Sequence, residues 1–162
     1  SLDSSLLVRD DQGRYLPATA DQILEAARYV IDQKIPRGAL FTSPTLVKDY
    51  LRTKLASFEH EVFAALFLDS QNRLIEYVEL FRGTIDQTSV YPREVVKTAL
   101  QHNAAAVIFS HNHPSGNSEP SQADKLLTQR LKEALALVDV RTLDHIVVGG
   151  EATTSFAERG LI

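Results

Sequence analysis

The sequence predicts an α/β fold built as a single domain, and three observations support this. Apolar residues recur at helical spacing in some segments and form short β-rich runs in others, and the two kinds of segment alternate along the chain. The chain has 162 residues, an ordinary length for one domain. Hydrophobic residues make up 44% of it, which is enough for a single core.

The N-terminal part is predicted to form an arm followed by two helices. Residues 1–18 contain one short apolar run and are expected to be irregular or to hold a strand. Residues 20–34 have apolar residues at helical spacing, and a Ser-Pro pair opens a second helix over about residues 44–56. We expect residues 1–38 to form an N-terminal arm and helix, and residues 39–162 to form the main domain.

The centre of the chain alternates strands and helices. Residues 60–69 and 73–82 are two apolar runs separated by a polar turn, which is typical of a hairpin. A Tyr-Pro pair begins a helix that runs to about residue 102. Residues 105–110 are then expected to form a short buried strand, and residues 121–137 the next helix.

The C-terminal part is predicted to contain mainly strands. Residues 138–140 and 144–148 are apolar and β-rich, and Gly149-Gly150 marks a turn. A short strand around residues 153–156 is expected to close the chain.

One motif carries most of the chemical information. His111 and His113 follow the predicted strand at residues 105–110, and Ser121 and Asp124 open the helix after it. Strand side chains two residues apart point the same way, so the two histidines can bind the same metal ion. Two histidines and a carboxylate suit Zn²⁺, and three protein ligands leave the open position of a catalytic site. The alternatives are a polar turn for the histidines and a capping box for Ser121 and Asp124. The capping box and the metal site are compatible.

At these residues the chain resembles a known family. The spacing His-x-His-x7-Ser-x2-Asp is similar to that of the JAMM zinc metalloproteases, also called MPN+ or JAB domains. Four sequence segments resemble the bacterial RadC-like JAB branch: SHNHPSGNSEPSQAD and the segments at residues 61–84, 89–108 and 143–150. The resemblance covers roughly residue 40 to the end. It implies a JAB/MPN-like (cytidine-deaminase-like) mixed sheet flanked by helices, one bound zinc ion, and a metallopeptidase that cleaves a peptide or isopeptide bond.

The resemblance also assigns two catalytic roles. The family has a glutamate on an early strand that carries protons during hydrolysis, and Glu61 is the matching residue. The alternative for Glu61 is a carboxylate at the solvated end of an apolar strand. The family serine beside the metal stabilises the oxyanion of the tetrahedral intermediate, and Ser121 matches it.

Other hydrolytic motifs are excluded by the residues present. His60-Glu61 begins a His-Glu-x-x-His motif, but residue 64 is Ala. The chain contains no cysteine, so it has neither a cysteine nucleophile nor the cysteine ligands of the zinc deaminases.

Four more polar residues are expected to lie near the motif. Asn112 is expected either to hydrogen-bond around the ligands or to serve the turn, and Ser110 to hydrogen-bond around them. Asp144-His145 precedes an apolar run, resembles an Asp-His phrase of the family, and is expected to be a buried polar pair near the site.

The charge and composition of the chain limit the classes of molecule that it is expected to bind. A net charge of −4 and a pI of about 5.7 argue against direct nucleic-acid binding and leave a peptide or protein as the expected substrate. No apolar run is long enough to span a membrane, and we expect a cytoplasmic protein, with a homodimer as one open alternative.

Two other functions remain as alternatives to the hydrolase. One is a RadC-type accessory factor in DNA repair or recombination, which the family's traditional label suggests. Full-length RadC proteins are expected to have a helix-hairpin-helix module before the JAB domain. The residues before Arg37 are too few for that module, which weakens this alternative. The other alternative is a non-catalytic interaction domain, which the intact motif argues against.

Overall fold

A computed structural model describes residues 6–34, 38, 41, 43–85 and 89–162. They form a single α/β domain with a mixed sheet, as predicted. In chain order the elements are β1 (Leu7–Arg9), β2 (Tyr15–Pro17), α1 (Ala20–Lys34), α2 (Pro44–Leu55), β3 (Val62–Leu68), β4 (Leu74–Arg82), α3 (Pro92–Gln101), β5 (Ala106–Asn112), α4 (Gln122–Ala136), β6 (Arg141–Gly149) and β7 (Ala152–Ser155).

The main sheet has five strands in the order β4-β3-β5-β6-β7. Strand β3 runs antiparallel to β4 and β5, β5 and β6 are parallel, and β7 returns antiparallel to β6. The parallel pair requires a crossover, and α4 supplies it. The carboxyl end of β5 therefore leads directly into the loop from which α4 begins, and such strand ends are common places for a ligand site.

Both faces of the sheet are covered, because alternate residues of the central strands pack on opposite sides. All seven residues of β3 are buried. One core cluster joins Val62, Leu66 and Ile108 to α2. The other cluster joins Phe63 and Phe109, with their neighbours, to α3 and α4.

The N-terminal arm is a separate two-stranded hairpin of β1 and β2, followed by α1, which packs on α2. The side chain of Asp10 accepts hydrogen bonds from the backbone N–H groups of Gln12 and Arg14 and so stabilises the hairpin turn. Residues 1–5 of the predicted arm lie outside the described residues, and the division at residue 38 stays a prediction. None of the helices in the described part of the chain has the length and apolar character needed to cross a bilayer.

The structure corrects two of the strand predictions, one in its end and one in its existence. Strand β5 continues through His111 and Asn112, because His111 pairs with Phe63 on β3 and Asn112 pairs with Val148 on β6. The strand predicted at residues 138–140 is instead a turn after α4, in which the N–H groups of both Val138 and Val140 donate to the carbonyl of Leu135. Asp139 in this turn has a φ of 59°, which interrupts any extended chain.

Candidate metal centre

His111 and His113 meet at the carboxyl end of β5. His111 is buried and stacks against Phe63, its partner on β3. His113 lies one residue past the strand, and its backbone N–H donates to the carbonyl of Val148 on β6. The two Nε2 atoms are 2.9 Å apart. The structure therefore brings together the two histidines that their spacing predicted to share a site.

Asp124 reaches the same point from the first turn of α4. The predicted capping box is present: Ser121 Oγ accepts from the Asp124 N–H at 3.0 Å, and Asp124 Oδ2 accepts from the Ser121 N–H at 2.8 Å. Oδ2 also lies 3.1 Å from His113 Nε2 and 3.3 Å from His111 Nε2. One carboxylate oxygen thus caps the helix and completes the group, and the capping and ligand interpretations are compatible as expected.

The loop between the histidines and α4 is held directly on the backbone of β6. A Cβ at Gly149 would stand 2.4 Å from the backbone nitrogen of Ser118 and 2.6 Å from the carbonyl carbon of Asn117, so only glycine allows this approach. The carbonyl of Asn117 lies 2.8 Å from His113 Nδ1. A carbonyl can only accept, so this Nδ1 carries a proton, and a neutral His113 ring presents its lone pair at Nε2.

The donor set fits a metal ion. His111, His113 and Asp124 each offer one ligand atom to a common point, and the three atoms form a triangle with sides of 2.9, 3.1 and 3.3 Å. Donors around a tetrahedral Zn²⁺ ion lie about 3.3 Å apart, given its bond lengths to nitrogen and oxygen. The triangle is slightly smaller than this value. The group can therefore hold a metal ion after a small outward adjustment of the rings.

The charges within the group support the same conclusion. Burial opposes ionisation of Asp124, but the contacts of its carboxylate with the rings of His111 and His113 and the hydrogen bond from the Ser121 N–H outweigh it and hold the pKa of the carboxyl far below its usual range. The hydrogen bond to Asp124 raises the pKa of His113, against the effect of burial and with help from the Asn117 carbonyl. The carboxylate is thus ionised, and it attracts a positive charge to the point where the three donors meet.

A second buried histidine lies behind His111. His145 Nε2 is 2.7 Å from His111 Nδ1, and His145 Nδ1 is 2.6 Å from the hydroxyl of Thr128 on α4. Burial, with the nearby His111, holds the pKa of His145 well below the usual value. The prediction that Asp144-His145 is a buried polar pair near the site is confirmed for His145, which is fully buried. Asp144 is half-buried and binds Ser155 Oγ and two backbone N–H groups.

Glu61 lies immediately before β3, beside the metal group. Its backbone carbonyl accepts from the Gly83 N–H, and its side-chain Oε2 accepts from the Ile85 N–H at 2.7 Å. The Glu61 charge is close enough to contribute to the raised pKa of His113, after the larger effects of Asp124 and the loop. The carboxylate is therefore oriented by the chain after β4. Its role as a proton carrier stays a prediction.

Asn112 points to the other face of the sheet and holds the segment that carries Glu61. Its Oδ1 accepts from the Val62 N–H at 2.7 Å, and its Nδ2 donates to the carbonyl of His60 at 2.9 Å. These two bonds bind the residues on either side of Glu61. Asn112 therefore neither contacts the ligands nor serves the turn, the two alternatives expected from the sequence.

Ser110 and Ser121 have clear structural roles. Ser110 Oγ donates to the carbonyl of Ile146 and so ties β5 to β6, away from the ligands. Ser121 is exposed beside Asp124 and caps α4. Stabilisation of an oxyanion by Ser121 stays a prediction.

The sequence interpretation missed Thr128. It lies four residues after Asp124, one helical turn along α4, and is buried among apolar neighbours. A hydroxyl one turn after a candidate metal ligand, on the buried face of the helix, was the available signal.

Comparisons with known proteins show which sequences this chain is similar to. A family model described as "RadC-like JAB domain" matches residues 41–161. A UPF0758 protein of Vibrio cholerae is 62% identical over 139 residues, which cover 86% of this chain and 87% of that protein. A UPF0758 protein of Leptothrix cholodnii is 62% identical over 140 residues, or 86% of this chain and 63% of the relative.

The UPF0758 protein of Cellvibrio japonicus is 64% identical over 138 residues, or 85% of this chain and 62% of the relative. The chain therefore spans most of the Vibrio protein but less than two thirds of the other two relatives.

Proposed function

The chain belongs to the family of RadC-like JAB domains, and we propose that it is a zinc-dependent hydrolase that cleaves a peptide or isopeptide bond. The observation that carries the proposal is the convergence of His111, His113 and Asp124 on one point, with the Glu61 carboxylate oriented beside them. The JAB family makes a metallohydrolase the natural interpretation of this group.

Zinc is the metal that we propose, because the donors are two imidazole nitrogens and one carboxylate oxygen. Three protein donors leave one coordination position open, as in catalytic zinc sites. When bound, the ion supplies Lewis-acid chemistry, which polarises a carbonyl and lowers the pKa of water.

Two residues, Glu61 and Ser121, are proposed to carry out proton transfer and oxyanion stabilisation. The Ile85 N–H orients the Glu61 carboxylate, and we propose that this carboxylate takes a proton from the attacking water and returns it to the leaving amine. Ser121 lies next to Asp124, and we propose that its hydroxyl donates to the developing oxyanion.

The test measures metal content and cleavage together. The purified chain is loaded with Zn²⁺, its metal content is determined, and it is incubated with a peptide library with and without chelator. We expect one zinc ion per chain and cleavage that the chelator abolishes. His111→Ala with His113→Ala should lose both, whereas His60→Ala, an exposed histidine outside the group, should keep the zinc.

Two results would contradict the proposal. If the double variant holds zinc as well as the parent, the metal does not bind at this group. If the loaded protein cleaves no member of peptide and isopeptide libraries, the hydrolase function fails, and a non-catalytic interaction domain becomes the better interpretation.

A further inference from the structure

A chain of hydrogen bonds connects the two elements that carry the ligands. It starts at His111 Nδ1, passes through both ring nitrogens of His145, and continues to the hydroxyl of Thr128. The Thr128 hydroxyl then reaches the backbone carbonyl of Asp124 at 2.7 Å. This series of hydrogen bonds therefore begins at one proposed ligand and ends at another, and every side chain in it is buried.

The last hydrogen bond of this series determines which atom donates in each of the others. A backbone carbonyl only accepts, so the single hydroxyl proton of Thr128 goes to Asp124. Thr128 Oγ1 must then accept from His145, and His145 Nδ1 carries a proton.

The complete burial of His145 determines the protonation of its other ring nitrogen, Nε2. His145 is fully buried and packed between the rings of Phe63, Phe109 and Phe156, where a charged imidazole would lose its hydration. A neutral ring with its proton on Nδ1 has a lone pair on Nε2. His145 Nε2 therefore accepts from His111, and His111 carries its proton on Nδ1.

We propose that His145, held by Thr128, is a positioning residue that keeps His111 in the tautomer and ring angle needed for its Nε2 lone pair to face His113 and Asp124. In water a neutral imidazole favours the opposite tautomer, so the network selects the state able to bind a metal. The proposal rests on the proposed function in one respect, that His111 is a metal ligand.

The position itself does not require a histidine for packing. The surrounding rings of Phe63, Phe109 and Phe156 would accept another aromatic side chain of similar shape. His145→Phe therefore removes the hydrogen bonds with little change in shape. His145→Gln places an amide oxygen near the former Nε2 and restores the acceptor for His111.

The experiment has two readouts on the same four variants, which are His145→Phe, His145→Gln, Thr128→Val and Thr128→Ser. Long-range proton–nitrogen NMR of the protein freed of metal by a chelator, at mildly alkaline pH, identifies the protonated nitrogen of the His111 ring. Competition with a chromogenic chelator measures the affinity for Zn²⁺. Neither readout requires a substrate.

In the parent protein we expect the His111 proton on Nδ1. His145→Phe should populate the other tautomer and weaken Zn²⁺ binding by about 10–100-fold, the usual effect of losing such a partner. His145→Gln should restore the tautomer and most of the affinity. Thr128→Val, which keeps the shape but loses the hydroxyl, should weaken binding, and Thr128→Ser should match the parent.

Each contrary result has one meaning. If His145→Phe keeps both the Nδ1 proton on His111 and the parent affinity, His145 is a packing residue and the inference is wrong. If His145→Phe does not fold, the comparison of Thr128→Val with Thr128→Ser decides, because equal affinity and equal tautomer in both would also overturn it. If the parent itself binds no Zn²⁺, the proposed function fails, while the NMR result still decides the tautomer.

Discussion

Glu61 and Asp124 are both carboxylates at the candidate centre, but their surroundings differ. Asp124 is buried, and its Oδ2 meets two ring nitrogens and a backbone N–H. Glu61 is half-buried and touches no ligand nitrogen, and it is oriented through the Ile85 N–H. A carboxylate that shares its oxygen with two imidazoles suits a ligand, whereas one held next to them suits proton transfer.

Substitution by the matching amide separates these two roles. Glu61→Gln keeps the shape but cannot carry a proton, so we expect unchanged zinc content and a cleavage rate reduced by roughly 10²–10⁴-fold. Asp124→Asn removes the negative charge and should weaken zinc retention itself. Zinc content and cleavage rate are measured for both variants on one substrate. Loss of zinc from Glu61→Gln would make Glu61 a ligand, and full activity would make it a bystander.

Proton competition at His113 predicts the pH dependence of metal binding. The hydrogen bond to Asp124 raises the pKa of His113, so the ring holds its proton to a higher pH than an ordinary histidine. A ligand must be deprotonated, and affinity should therefore fall as the pH falls through this raised pKa, by up to about tenfold per pH unit for each proton displaced. Zn²⁺ competition assays from pH 8.5 to pH 6 measure this, and a flat profile would contradict His113 as a ligand.

At the level of elements, the start of α4 could be predicted and the network behind it could not. Ser121 and Asp124 form a capping box that depends on neighbouring residues, so the sequence pattern was sufficient. His111 and His145 are 34 positions apart and meet because β5 and β6 are parallel neighbours. Asn112 reaches Val62 across the β3–β5 pair, 50 positions away. Such contacts depend on strand order and register, which local patterns do not specify.

The approach of the loop to β6 makes Gly149 a position that does not tolerate a side chain. Gly149→Ala places a methyl group against the backbone of Ser118 and Asn117. The loop must then move, which we expect to cost about 1–3 kcal/mol of unfolding free energy and to weaken Zn²⁺ binding through the bond between Asn117 and His113. Urea unfolding and chelator competition measure the two effects.

Gly150→Ala is the matched control for this prediction. Gly150 has a φ of 60°, and its nearest neighbour to an added Cβ is 4.0 Å away. The substitution should therefore cost about 1 kcal/mol through backbone strain but leave the affinity for Zn²⁺ unchanged. Equal metal affinities for both alanine variants would show that the loop contact does not support the metal centre.

For the whole molecule, the proposed centre joins parts of the fold that are distant in sequence. Its groups come from the end of β5 and the residue after it, from α4 and from the segment before β3. A ligand that binds only the folded chain stabilises it by about 2.7 kcal/mol at a concentration 100 times its dissociation constant. For a chain of this length we therefore expect Zn²⁺ to raise Tm by about 5–10 °C. Thermal unfolding with metal and with chelator tests this, and an equal rise in the double histidine variant would place the metal elsewhere.

The last prediction concerns the alternative function in DNA repair. Phosphate binding depends on clusters of lysine and arginine, and it weakens steeply with salt. The chain has a net charge of −4, and several described cations are paired with carboxylates: Lys48 with Glu158, Arg52 with Asp49, Arg82 with Glu79, and Arg159 with Glu119.

We therefore expect no tight binding of nucleic acid by this chain. Fluorescence anisotropy with single-stranded and duplex DNA, near physiological salt and over a salt series, measures it. Reversing the charge of paired carboxylates, with Glu79→Lys and Glu119→Lys, provides a variant with a more basic surface as a positive comparison. Micromolar or tighter, salt-sensitive binding by the parent chain would contradict the expectation. A DNA-linked substrate would then be a better candidate than a free peptide.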